Sequence, residues 1–199
     1  MVDVYLSFAL LWIPQVKGLA NKVQTQAPLL GLLTKLMSPQ GIKGQLTYQE
    51  FSRAIYDNVP TSFHIACENT EKRHGEMAGI RGCMYCLWMS CFGTGVVKED
   101  DMLEACTKLR LNSDLEYFIE LFEFKRDEGL KRQFQLAEKP RITQEQKISL
   151  AIKNLFNLMN LAELDKETQN DFFEIVSACF PSTDPTLVRG LIEKHPKAV

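Results

Sequence analysis

Residues 61–106 read TSFHIACENTEKRHGEMAGIRGCMYCLWMSCFGTGVVKEDDMLEAC, and they hold two of the three histidines and five of the six cysteines. Thr61 and Ser62 follow Pro60. Their hydroxyls suit the free amides of a first helical turn, which predicts a helix from Phe63 to about Arg73. Gly75 is its expected stop. A second helix is predicted from about Glu76 to Phe92, ending at Gly93-Thr94-Gly95. A third opens near Lys98–Asp101, where acidic side chains meet the positive end of the helix dipole. In the second helix Gly75, Gly79, Cys83 and Cys86 set small residues along one face. Met84, Tyr85, Leu87, Trp88 and Met89 cover much of the rest. A helix that is apolar nearly all round is buried, and the run Cys83–Phe92 is far shorter than the ~20 residues that cross a bilayer. It reads as the central core helix.

The chain around it is helical too. Asp3 caps a segment to Trp12 that Pro14 interrupts, and Val16–Lys22 continues it. Leu29, Leu30, Leu32, Leu33 and Leu36 recur at helical spacing within Gln26–Met37, and 38–44 is a loop. Thr47-Tyr-Gln-Glu50, Ser113-Asp-Leu-Glu116 and Thr143-Gln-Glu-Gln146 each fit a capping box. Further helices are expected over Lys166–Phe180 and after Asp184, where Pro185 takes the first helical position. No strand alternation of useful length appears. The fold class is all-α, with two helical subdomains: 1–124, a charged linker or helix end over 125–143 closed by Pro140, and 144–199.

Composition narrows the function. Of 199 residues 45% are hydrophobic and 24% charged, as in ordinary globular proteins, and the net charge is −2. That balance carries no global signal for nucleic acid or membranes, although a local basic patch remains compatible with it. Six cysteines point to free thiols in a reducing compartment. The apolar start, Val4–Ile13, lacks a basic leader and a small-residue cleavage site and reads as structure.

The cysteines invite a zinc site, with Cys83-x-x-Cys86 between His74 and Cys91. Such a pair in mid-helix spreads its donors too far to converge on one ion, so buried thiols are the expectation and no metal is assigned. His64 with Cys67 or Cys106 lacks the electropositive surroundings that lower a thiol pKa. There is no phosphate-binding glycine loop and no nucleophile elbow. The residues predict a protein without catalytic machinery or cofactor. The remaining candidates are cations. Lys125, Arg126, Lys131, Arg132, Lys139 and Arg141 form the first candidate electrostatic surface, and Arg53, Lys72, Arg73 and Arg81 the second.

One resemblance extends this reading. Ser62-Phe-His64, Ala66, Glu68, Ala78, Cys83-Met84, Cys86-Leu87, Gly95-Val96 and Cys106 resemble the middle helices of orthomyxovirus matrix proteins, and Arg141–Cys179 is similar to that family's C-terminal helical domain. The chain departs from the influenza pattern: only Arg53 is basic in Tyr48–Asn58, and no histidine follows Cys106 until His195. The likeness is to a divergent member, of an isavirus or thogotovirus kind. It implies a structural protein that self-associates into a layer under the viral envelope. Its partners would be other copies of itself, the anionic inner leaflet, the viral ribonucleoprotein or nucleoprotein, and RNA without sequence preference. Its place would be the virion, with passage through host cytoplasm, membrane inner face and nucleus. The two basic sets would then face lipid or ribonucleoprotein. The alternative is a helical adaptor that holds a partner without lipid affinity, with an RNA-binding protein and a zinc-dependent module behind it.

Overall fold

Local signals fix where most of the helices begin. Thr47 takes the amide of Glu50 on its hydroxyl at 3.3 Å, and the Glu50 carboxylate takes the amide of Thr47 at 3.0 Å. This reciprocal box starts α1, Tyr48–Tyr56. A computed structural model describes residues 46–136 and 141–194. The helices expected within 3–37, the loop at 38–44, Lys139 and His195 lie outside the described residues. After α1 come α2 (Thr61–His74), a 3₁₀ turn (Glu76–Ala78), α3 (Ile80–Gly93), α4 (Glu99–Asn112), α5 (Leu115–Phe134), α6 (Gln144–Met159), α7 (Lys166–Cys179) and α8 (Pro185–Glu193). Among the described residues every regular element is helical, so the fold is all-α. They belong to one compact unit, Gly44–Val199.

The predicted core helix is α3. Every residue from Gly82 to Cys91 is buried, and Trp88, Tyr85, Leu87 and Met89 have no exposed surface. Burying a side chain of this size stabilises by roughly 2 kcal/mol, so this one helix dominates the core. α1, α2, α4, α5 and α6 all pack on it, α6 also lies along α4, and α7 packs against α2 and α8. Asn154 on α6 donates to the Ser90 hydroxyl of α3 at 3.0 Å, a polar bond inside the apolar interface. Arg73 on α2 is paired with Asp171 and, at 3.4 Å, with Glu167 on α7. Residues 125–134, within the stretch expected to be linker or helix end, are the second half of α5.

Three helix starts differ from the sequence reading. α2 begins at Thr61 itself, with Pro60 in the cap position and no side-chain cap bond, so Thr61 and Ser62 are not its caps. The second helix does not run on from Glu76. The Ala78 carbonyl, which would accept the amide of Gly82 in an unbroken helix, instead accepts the Thr70 hydroxyl at 2.7 Å and the Cys83 thiol at 3.2 Å. The 3₁₀ turn therefore folds back over the start of α3. A Cβ on Gly82 would stand 1.8 Å from the Met77 carbonyl oxygen, so only glycine admits this approach. At the third site Ser113 does not cap α5. It adopts a left-handed conformation (φ 58°) that closes α4, its amide bonded to the Leu109 carbonyl at 2.8 Å. Asp114 caps α5 instead, taking the Tyr117 amide at 3.2 Å. One residue stops a helix and the next starts another.

Candidate protein-docking groove

The start of α1, the start of α3 and the first two turns of α5 enclose an open groove. Tyr48 donates its hydroxyl to the Arg81 carbonyl at 3.0 Å. Tyr48 and Arg81 line two adjoining chambers. Tyr48 is held from behind, edge-on to Trp88 with ring centroids 5.6 Å apart. Burial pushes its hydroxyl above the ordinary tyrosine pKa, so it stays protonated and donates.

On the α5 side the chamber holds about 560 Å³ and is lined by Leu115, Ile119 and three carboxylates, Glu116, Glu120 and Glu123. Helical spacing explains the arrangement. Leu115, Phe118 and Phe122 turn into the core, which leaves Glu116, Glu120 and Glu123, at i, i+4 and i+7, along a neighbouring line. Among the described residues neither Glu116 nor Glu120 is in an ion pair. On the α1 side the second chamber, about 430 Å³, is lined by Tyr56, Ile80, Met84, Arg53 and Asp57. Tyr56 is 56% exposed. The two chambers thus combine apolar side chains with charged groups at their edges. The acids of α5 carried a readable signal, the i, i+4, i+7 repeat in LEYFIELFE, but its orientation depends on which side of α5 packs.

The sequence-predicted cations are dispersed. Lys125 is tied to Asp101 on α4 at 3.0 Å. Arg126 is 5% exposed, its guanidinium 5.7 Å from the Trp88 ring centroid and 3.4 Å from the Leu46 carbonyl. Lys131 and Arg132 are exposed on the last turns of α5, and Arg141 is exposed ahead of α6. Of the second set, Lys72 pairs with Glu68 at 3.8 Å on its own helix and Arg73 with α7. Lys72 and Arg73 lie beside α7, and Arg53 and Arg81 lie at the groove.

All six cysteines are buried, in three contacting pairs that join different helices. Cys67 hydrogen-bonds Cys83. Sulfur atoms lie 3.7 Å apart in Cys86–Cys106 and 3.5 Å apart in Cys91–Cys179. The bond to Cys83 together with burial pushes the Cys67 thiol far up, burial does the same for Cys86, and the bond to Cys91 does so for Cys179. Among the described residues no three His, Cys, Asp or Glu side chains are placed to hold a metal ion. His64 lies edge-on to Tyr56 (4.9 Å) and Phe63 (5.6 Å). Among the described residues no helix is long and apolar enough to cross a membrane.

No family model matches the chain, and no solved structure matches it. Two curated proteins do. The chain is similar to the chloroplastic photosystem I assembly factor PSA3 of Arabidopsis thaliana, 24% identical over 179 residues that cover 88% of this chain and 65% of that protein. It is similar to the protein of the same name in Zea mays, 23% identical over 186 residues, covering 92% of this chain and 69% of that one. The chain thus spans about two thirds of the length of these relatives. These matches overturn the viral reading. The likeness to orthomyxovirus matrix proteins, the layer under an envelope, the inner leaflet, viral ribonucleoprotein and RNA as partners, and the virion as location all fall with it. The residues behind that likeness are a pattern of spacings spread over several helices, from Ser62 on α2 to Cys106 on α4 and Arg141–Cys179. Of the readings drawn from the sequence, the helical adaptor agrees better with what the chain is similar to.

Proposed function

We propose that this chain is a photosystem I assembly factor: a helical module without catalytic activity that holds a component of photosystem I while the complex is built, in the chloroplast. The observation that carries this reading is a similarity running through 88–92% of the chain to two proteins of that description. The open groove on a densely packed helical body supports it, since a holding protein needs a rigid surface and no reaction centre. Affinity-tagged full chain, expressed in the photosynthetic organism that encodes it, is expected to retain photosystem I subunits identified by mass spectrometry. Its loss is expected to lower assembled photosystem I relative to photosystem II. Normal photosystem I accumulation without the protein would overturn the reading.

A further inference from the structure

We infer that the groove between α1, the start of α3 and α5 receives a basic amphipathic helix of a partner protein. That the partner belongs to photosystem I rests on the reading above; the chemistry of the occupant rests on the groove alone.

Charge complementarity comes first. The α5 side presents Glu116, Glu120 and Glu123 against the single cation Arg81. Further along α5, Asp127 and Glu128 are exposed; Asp127 is 3.9 Å from the buried Arg126 guanidinium, and Lys125 is tied to Asp101. Glu116 and Glu120 therefore offer carboxylates outside any ion pair among the described residues to an incoming chain. Apolar area comes second. Leu115, Ile119 and the Tyr48 ring lie at the base of this acidic line. A purely electrostatic surface has no use for these groups; a helix that lays an apolar stripe into a groove does.

Spacing selects a helix over an extended strand. Glu116, Glu120 and Glu123 rise along the α5 axis by about 6 Å and then about 4.5 Å. Lysines or arginines at i, i+4 and i+7 of a neighbouring helix repeat those intervals, whereas like-facing residues of a strand recur every ~6.8 Å. Arg81, on the opposite wall, sets the register: one carboxylate on the partner, facing away from its basic row, would meet it.

The test uses the full chain and a fluorescent leucine–lysine peptide of about five helical turns, with a scrambled peptide of the same composition. Anisotropy is expected to show tighter binding of the amphipathic peptide. The triple variant E116K/E120K/E123K is expected to weaken it about tenfold, and Ile119→Ser to weaken it as well. A control with the same charge change elsewhere, E163K/E174K/E193K, should leave it unchanged, with circular dichroism confirming that all variants fold. Equal binding of the two peptides, or equal loss in the control, would overturn the groove. The triple variant is then compared with wild type for capture of photosystem I subunits. Capture retained by the triple variant refutes the groove and leaves the assembly reading standing. Capture absent from wild type refutes the assembly reading, and the peptide result still decides the groove.

Discussion

Trp88 and Arg126 converge on one acceptor: the indole Nε1 donates to the Leu46 carbonyl at 2.9 Å, and the Arg126 Nη1 donates to the same oxygen at 3.4 Å. The guanidinium also lies over the indole ring. Burial lowers the Arg126 pKa from the ordinary guanidinium value, yet arginine keeps its charge at any physiological pH. Its Nε has no hydrogen-bond partner.

A buried cation with one donor unused is a weak stabiliser, and an apolar side chain of similar shape often replaces such a group at little cost. Arg126→Met is therefore expected to change unfolding free energy by no more than about 1 kcal/mol. Trp88→Phe removes the shorter bond and core volume together and should cost about 2 kcal/mol or more. Urea unfolding of the two variants checks the contrast; a larger loss from Arg126→Met would reverse it.

Gly129→Ala sets two effects against each other. Alanine in a helix interior gains about 1 kcal/mol over glycine. A Cβ here would stand 2.2 Å from the Val96 carbonyl oxygen, a backbone atom that cannot rotate aside. The clash should win, for a net loss of about 2 kcal/mol, read as a lower melting temperature.

The thiols give a chemical test of packing. All six are buried, and Cys67, Cys86 and Cys179 are held well above the ordinary thiol range. Since the thiolate is the reactive form, the folded protein is expected to leave an aromatic disulfide reagent unreacted at pH 8, and to titrate all six thiols in guanidinium. A rapid phase from folded protein would place at least one thiol at the surface.

Asp165 caps α7, accepting the Thr168 amide at 2.7 Å, and that bond holds its carboxyl below the usual aspartate value. A folded-state pKa below the unfolded one means that this stabilisation is present above about pH 4 and is lost as the pH falls through the folded value. Asp165→Ala should cost about 1 kcal/mol at neutral pH. Asp165→Asn should keep the cap and flatten the acid limb of the stability curve, as measured by thermal unfolding between pH 2 and pH 7.

What the sequence made legible was local. The boxes at Thr47 and Thr143 and the Asp184-Pro185 start each involve groups within a few residues, so no tertiary contact is needed to read them. The uniform burial of α3 was legible because no side of it is polar. The break at Ala78 was not, because it depends on a hydroxyl from the preceding helix. The dispersal of the basic stretch at 125–132 was not legible, for a geometric reason. Successive helical residues point about 100° apart, so Lys125 turns to α4 while Arg126 turns into the core. The groove went unseen because its acids become a row only once α5 is docked by Leu115, Phe118 and Phe122.

The joint at Ser113 and Asp114 leaves α4 and α5 with no slack between them. In mechanical terms the two helices form a bent lever whose outer arm is the acidic wall of the groove. Its inner arm lies against α6. The acidic wall is thereby tied to the α4–α6 seam through this joint, as well as to α3 by direct packing. Lengthening the elbow with flexible residues would uncouple the arms while leaving every groove side chain in place.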